Sequence, residues 1–509
     1  MHFCSRRRKS VVTSAEADVV IVGAGPSGLM AAGDLAGMGH RVVVLEKRPK
    51  TRSNLTRAFS VHARALDQLA VRGVAAEIIH AGMPVGSLPL IGALDIEFSE
   101  LDTTFPFMLV VPQFVVERVL EARAVAAGAT FVHHCEVTGV EQDDNGVRVK
   151  YATPESDGGP PVDREWRAAY VVGADGIHSR VRESLGIEFP GESVLTSVII
   201  ADAKVDYPPE KGLAIEANGH GFSFVCPIEN GYYRVLAWNS DTPQYVSDDI
   251  DFAELSELCD IVFERRVGLH SPRWISRFHS DERQATRYRS GRAFLVGDAA
   301  HVHSPAGGLG MNVGIQDVAN LSWRLHATLR SGEDRFLADY EAEMRPIGAR
   351  ALVDSGNLVR GATRLSSIPA PLRWLVMAVA NNSGAFGRRY AFGIAKSLSG
   401  IETTCGGSGV DGVGAFWSGA VTGAEIRTHL SAGHFVLATP WATEATDAAA
   451  RAGEVTVVLD PLCRNKALLV RPDGYLAWTG APDSPDLPGA VAQRVPPAAK
   501  GQVRALRSS

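Results

Sequence analysis

Three glycine-bearing stretches carry the chemistry this sequence offers. Gly23-Ala24-Gly25-Pro26-Ser27-Gly28 has the G-x-G-x-x-G spacing, and an acid, Glu46, follows close to the roughly 20-residue interval of a dinucleotide fingerprint. In such a turn Gly23 permits the tight bend, Gly25 lets backbone approach a pyrophosphate, and Gly28 lets helix and strand pack closely. The helix that follows would present free N–H groups and partial positive charge to the phosphates. Glu46 can accept two hydrogen bonds from an adenosine ribose. The second stretch is Gly173-Ala174-Asp175-Gly176. The third is Gly297-Asp298, followed by Pro305-Ala306-Gly307-Gly308-Leu309-Gly310-Met311-Asn312. Asp298, ending an apolar run, can accept hydrogen bonds from polyol hydroxyls. The dense glycines let a flat ring approach backbone. A helix starting at Met311-Asn312 aims N–H groups at that ring, and its positive end would stabilise a reduced, anionic flavin. The first stretch alone fits NAD or FAD; the other two favour FAD.

The elements that must position these residues are legible as patterns. Asp18-Val19-Val20-Ile21-Val22 and Arg41-Val42-Val43-Val44-Leu45-Glu46 are apolar runs of buried-strand length, with a helical stretch, Leu29 to Met38, between them. This is a βαβ unit. Tyr170 to Gly173 and Ala293 to Val296 read as further buried strands. From about 190 to 285 the texture changes to β-branched and aromatic alternation, with Asn230-Gly231 marking a tight hairpin. Helices dominate from about 313 to 398. Gly406 to Gly414 reads as a linker, and strand-like runs at 435–437, 455–459, 467–470 and 475–478 form a small separate α/β unit around the turn Arg471-Pro472-Asp473-Gly474.

The expected organisation is therefore a disordered leader over 1–16, a dinucleotide-binding domain over 17–189 and 286–400, an inserted antiparallel sheet over 190–285, and a C-terminal domain over 415–509. At roughly 150 residues per domain, 509 residues accommodate this. A composition 45% hydrophobic and 21% charged excludes disorder of the whole chain, and a net charge of -6 gives no global basic field for nucleic acid. No run reaches the roughly 18 apolar residues of a membrane span. The six cysteines form no C-x-x-C or zinc-like pair, which suggests reduced thiols of a cytoplasmic protein. His301 and His303 stand at i, i+2, but no acid or cysteine cluster surrounds them in sequence, so no metal is expected.

With Gly23–Gly28, Gly173-Ala174-Asp175-Gly176 and Gly297-Asp298 in this order and spacing, the sequence resembles the class A FAD-dependent aromatic monooxygenases over roughly residues 18–400. The nearest subgroup holds aromatic polyketide hydroxylases, phenol hydroxylase-like enzymes and rifampicin-type monooxygenases. Leu468, Val470-Arg471-Pro472-Asp473-Gly474-Tyr475 and Trp478 resemble that subgroup's C-terminal thioredoxin-like domain, here without C-x-x-C and hence without thiol chemistry. The resemblance implies an α/β fold: a para-hydroxybenzoate hydroxylase-like FAD domain, an inserted substrate-binding sheet and a thioredoxin-like end. Glu46 and Lys47 would hold the adenosine ribose and its surroundings, and Val137 would lie near adenine. Ser27 and Arg57 would meet the pyrophosphate, Gln113 and Arg118 the ribityl and phosphate groups, and Asp298 the ribityl chain. Asp175 belongs to the second motif at the cofactor. Gly310, Met311 and Asn312 would border the isoalloxazine, the last two through backbone. Pro305 and Gly308 would shape the peroxide cradle.

The reaction implied is hydroxylation of an electron-rich ring by a flavin C4a-hydroperoxide, formed from non-covalent FAD, O2 and a transient NADPH or NADH. No general base is assigned. Phe222, Phe224, Pro227 and Trp238 are candidate substrate-lining residues, and the subgroup points to a phenolic, polycyclic polyketide-type substrate. Baeyer–Villiger insertion, epoxidation and antibiotic inactivation use the same fingerprints. A flavin reductase and a non-catalytic flavoprotein are competing classes, whereas the W-x-W-x-I-P run of flavin halogenases is not found. The remaining expectations are no nucleic-acid or membrane partner, and a monomer or homodimer.

Overall fold

The computed structural model describes residues 15–50, 58–90, 94–155, 159–210, 213–240, 250–366, 385–407 and 412–497. The strand Ala15–Val22 lies between Val42–Leu45 and Val162–Gly173 and is parallel to both, with Val22 opposite Leu45 and Gly173. It starts at Ala15, two residues inside the stretch expected to be a leader, because Ala15 and Glu16 already pair with Trp166 and Arg167. Thr130–Val132 and Ala293–Leu295 extend the parallel set, and three antiparallel strands complete an eight-stranded sheet. Val19, Val20 and Ile21 are fully buried, as expected for a parallel strand covered on both faces.

The helix Pro26–Gly37 packs on Gln113–Ala126 and on the long helix Leu309–Ser331. The long helix starts at Leu309, two residues before the Met311-Asn312 start expected from the sequence. It is buried from Met311 to Thr328, and this burial encloses polar residues that include Asp317, Asn320 and Arg324. A helix enclosed all round lacks the solvent stripe that would define its ends in sequence.

Residues from Gly191 to Gln284 form most of a second, six-stranded sheet in which Gly191–Val205 pairs antiparallel with Tyr233–Asn239 and Leu269–Gln284. The hairpin at Asn230-Gly231 is present, and both residues have positive φ, 52° and 73°, which favours asparagine and glycine. One face of the sheet packs Val225, Val235 and Ala237 against the helix Phe252–Val262. The opposite face carries Phe222, Phe224 and Leu236. The short strand His301–Val302 joins this sheet from the third glycine-bearing segment, an edge pairing too short to leave a sequence pattern.

The C-terminal sheet has the order Val455–Leu459, Phe435–Thr439, Ala467–Val470, Leu476–Gly480. The first pair is parallel across the helix Glu444–Ala452, and the other pairs are antiparallel. The Arg471–Gly474 turn docks this unit onto the helices. Arg471 donates to Glu343 at 2.9 and 3.0 Å, Trp323 Nε1 donates to Asp473 at 3.1 Å, and Gln68 Nε2 donates to the Asp473 carbonyl at 2.9 Å. Part of the expected linker is tied down, since Cys405 N donates to Gly414 O at 2.9 Å and Gly414 N to Leu476 O at 2.8 Å.

Candidate functional site

The three glycine-bearing stretches leave the C-terminal ends of three adjacent parallel strands, Ala15–Val22, Val162–Gly173 and Ala293–Leu295. Distance along the chain hides this; sheet register creates it. At the first, Gly23 has φ 99° and an added Cβ would strike the Ala174 carbonyl oxygen. A Cβ on Gly28 would strike the Gly23 carbonyl oxygen, so these two glycines hold the first and second motifs together. Gly25 differs: a Cβ there meets nothing within 4 Å, which leaves its backbone open to a ligand. Gly25 is also the N-cap of Pro26–Gly37, with no side-chain cap and no acid in the first turn. Free N–H groups facing open space suit a pyrophosphate. Ser27 is wedged between Gly297 and Gly314, so it also locks the first motif to the third.

Glu46 lies beside this turn and is 6% exposed. Its carboxylate accepts from Ala24 N at 2.6 Å, from Arg48 N at 2.8 Å and from Arg48 Nε at 3.0 Å. Burial pushes its carboxyl up, but the Arg48 charge and these hydrogen bonds outweigh burial and hold it below the ordinary range. The anion keeps lone pairs free for ribose hydroxyls. Lys47 is exposed, and the basic side chain that bonds Glu46 is that of Arg48. Arg48 and Arg118 line a cavity of about 60 Å³ with Ala24, Glu46 and His133. Val137 is buried on the strand Glu136–Asp143, just after Cys135, whose N–H donates to the Glu46 carbonyl at 3.1 Å. Gln113 opens its helix and donates from Nε2 to Glu117 at 2.8 Å. Arg57 lies outside the described residues.

Asp175 faces its own turn, where Oδ2 accepts from Val181 N at 3.1 Å. Arg182, missed in the sequence, ties the second and third motifs by donating to the Ile177 carbonyl at 2.7 Å and the Ala299 carbonyl at 3.0 Å. Asp317, also missed, accepts from Gly297 N at 2.9 Å and fixes the turn that carries Asp298. A buried aspartate in a helix interior was the available signal.

At the third motif Gly307 and Gly308 have φ of 79° and 63°, and the helix Leu309–Ser331 begins at once, with no side-chain cap and no acid in its first turn. A Cβ on Gly310 would lie 3.8 Å from Asp298 Oδ1, so Asp298 stands at this helix start. The Asn312 side chain is fully engaged: Oδ1 accepts from His62 N at 2.7 Å, and Nδ2 donates to Gly308 O at 2.7 Å and Ser60 O at 3.1 Å. Only its backbone, with that of Met311, remains for a ring. His62 Nε2 donates to the Gly307 carbonyl at 2.7 Å, and burial pushes its pKa down to about 4, so it is a neutral brace of the loop.

Pro305 to Gly308 also form one wall of an apolar cavity of about 140 Å³. Phe222, Phe224 and Leu236 of the six-stranded sheet face them across it. Trp238 shares that sheet face but stacks on Phe222, with centroids 5.9 Å apart, outside the cavity wall. Pro227 is one residue out of phase with Phe222 and Phe224 and takes no part in the wall.

Residues 16–355 match the family model described as FAD binding domain. The chain belongs to the FAD-dependent aromatic monooxygenases. The monooxygenase is 35% identical to 12-dehydrotetracycline 5-monooxygenase/anhydrotetracycline 6-monooxygenase of Streptomyces rimosus over 92% of its own length and 96% of the relative's. It is 31% identical to dialkyldecalin synthase of Streptomyces rugosporus over 91% of its length and 96% of the relative's. The solved structure of OxyS anhydrotetracycline hydroxylase from Streptomyces rimosus aligns with TM-score 0.78 and 32% identity, covering 95% of this chain and all of that one. The observed glycine cradle, the Glu46 anion and two uncapped helix starts suit FAD in this monooxygenase. Among the described residues no helix is long and apolar enough to cross a membrane.

Proposed function

We propose that the chain hydroxylates a phenolic, polycyclic polyketide-type substrate, using O2 and NADPH or NADH, with FAD held across the three strand ends. The observation that carries this reading is the shared loop. Pro305–Gly308 adjoins both the uncapped helix start expected to meet the flavin ring and the apolar cavity. Bound flavin would supply the oxygen-activating chemistry. Everything else is the work of this chain. Gly25 and the helix behind it bind the pyrophosphate, Glu46 and Arg48 the adenosine ribose, and Asp298 the ribityl chain. Arg118 lines the cavity beside Glu46 and Arg48, and Gln113, bonded to Glu117, is assigned with it to the ribityl and phosphate groups. The backbone N–H groups of Met311 and Asn312 stabilise negative charge on the ring. Phe222 and Phe224 exclude water and orient the reacting ring of the substrate, and Ser60 and Ser304 are the hydroxyl-bearing side chains among the described wall residues. A cavity of about 140 Å³ seats one benzene-sized ring, so the other rings of a polycycle must extend beyond it.

The domain reading follows the sheets, with FAD binding over 17–189 and 286–400 and substrate recognition over 190–285. The C-terminal unit is proposed as thioredoxin-like on the strength of its strand order and directions, in a purely structural role. Burial pushes the Cys405 and Cys463 thiols up to about 12, far from the thiolate that redox exchange needs.

The test is NADPH and NADH oxidation with a panel of polycyclic phenols under labelled O2. The expected result is at least a roughly tenfold stimulation by the right phenol, a barrier drop of about 1.4 kcal/mol, and a product carrying one labelled oxygen. Since a relative of 31% identity bears the name of a synthase, product formation without labelled oxygen would overturn the monooxygenase mechanism in favour of non-oxidative ring chemistry. Fast oxidation that no aromatic ligand accelerates would point to a reductase.

A further inference from the structure

The short strand Ser60–Val61 brings a polar side chain to the apolar cavity that the protein itself does not use. Ser60 is 3% exposed and belongs to the cavity wall. Its backbone is engaged: the residue pairs antiparallel with Val110, and its carbonyl accepts from Asn312 Nδ2 at 3.1 Å. Its hydroxyl has no hydrogen-bond partner among the described residues, yet the oxygen keeps accessible surface.

This hydroxyl has a fixed direction. A Cβ on Gly308 would strike Ser60 Oγ while staying 3.2 Å from Ser60 Cβ, so the side chain meets Gly308 oxygen first. Asn312 fixes the two segments together, because the Nδ2 that donates to the Ser60 carbonyl also donates to the Gly308 carbonyl at 2.7 Å. Ser60 Oγ thus stands where the cavity adjoins the uncapped start of the helix Leu309–Ser331.

A hydroxyl enclosed by apolar groups costs free energy unless something bonds it. Phe59, whose ring lies 5.0 Å from that of Phe224, and the other aromatic wall residues bring no polar side-chain atom to it. Ser304, the second hydroxyl of the wall, is already engaged, since its Oγ accepts from Ala306 N at 3.4 Å. No charged side chain stands among the described wall residues. With one donor and two lone pairs, the Ser60 hydroxyl is the group left for an oxygen carried in on a ring.

We propose that Ser60 orients the substrate: its hydroxyl hydrogen-bonds an oxygen substituent of the reacting ring and holds that oxygen beside Gly308. The inference rests on the cavity being the substrate site, and it narrows what the cavity takes. A ring that could turn end for end between apolar walls acquires one preferred orientation. A phenol is favoured over the bare hydrocarbon of the same shape, because the hydrocarbon leaves the buried hydroxyl unpaired.

The test is equilibrium dialysis of the FAD-loaded protein, without reductant, against 2-naphthol and against naphthalene, which lacks only the oxygen. One net hydrogen bond is worth about fivefold in affinity. Ser60→Ala should therefore bind 2-naphthol about fivefold more weakly than the parent does, and naphthalene equally or more tightly. Equal losses for both ligands, as a merely structural serine would give, overturn the role of Ser60, and so does an unchanged affinity for 2-naphthol. The substitution removes one oxygen atom that no described residue bonds; should Ser60→Ala nevertheless fail to fold, Ser60→Cys, a weak donor of similar shape, is read by the same outcomes. Leu236→Trp, which fills the cavity from the six-stranded sheet, separates this inference from the reading beneath it. It should abolish binding of both ligands. If it leaves both affinities unchanged, or if the parent binds neither ligand, the cavity is not the substrate site and the role of Ser60 falls with that reading.

Discussion

Replacing Gly25 and Gly28 separately by alanine should have opposite consequences, although both belong to one turn. Gly25 has φ -76° and ψ 178°, a backbone any residue adopts, and its added Cβ meets nothing within 4 Å. Alanine is a poorer N-cap than glycine by up to about 1 kcal/mol, and the loss of unfolded-state freedom returns about 0.4–1 kcal/mol. The cofactor-free Gly25→Ala protein should thus be within about 1 kcal/mol of the parent. Its methyl group would occupy the space through which a phosphate reaches backbone N–H groups. Losing one charge-assisted hydrogen bond costs about 1.5–3 kcal/mol, or roughly ten- to a hundredfold in affinity. Gly28→Ala drives its Cβ into the Gly23 carbonyl oxygen and to 3.3 Å from the Ala174 methyl group. Relief requires the backbone to move, at about 1–3 kcal/mol, with or without cofactor. Denaturant unfolding of both cofactor-free variants, together with FAD fluorescence titration, separates the two effects. The reasoning is refuted if Gly25→Ala binds FAD as tightly as the parent, or if it destabilises the empty protein as much as Gly28→Ala does.

Asp298→Ala should weaken FAD retention in gel filtration while leaving the unfolding midpoint of the empty protein near the parent's; equal retention would remove the ribityl role. Glu343 bears on acid stability. Burial raises its carboxyl, but Arg471 and Arg324 outweigh burial and hold it at about 2. Its folded pKa is therefore below the unfolded value of about 4.3, so its contribution, on the order of 3 kcal/mol, is full above that value and is lost as pH falls towards 2. A Glu343→Gln variant should be less stable near neutrality and show a smaller loss across this window in urea unfolding. Changing Cys405 and Cys463 together to serine should leave turnover near the parent's, since their thiols are protonated and buried; a large loss with FAD still bound would contradict the structural role.

The FAD reading was available in the sequence because local backbone requirements select residue types. Gly23 must take φ 99°, Gly28 must sit against a carbonyl, and Asn230-Gly231 must turn with both φ positive; each demand leaves a glycine or asparagine at a fixed offset. The buried strands left continuous apolar runs for the same kind of reason, since both faces of a parallel strand are covered. What the sequence could not contain is which side chains meet after the sheets form. That Arg48, two residues on, bonds Glu46 while Lys47 stays exposed is visible only once the chain has left the strand and turned. Phe222 and Phe224 reach the cavity while Pro227 does not, because the pleat assigns alternate residues to opposite faces. Ser60 faces Gly308 across a clamp made by the Asn312 side chain, 252 residues further along the chain than Ser60. Those pairings are set by register and packing, and only the tertiary structure decides them.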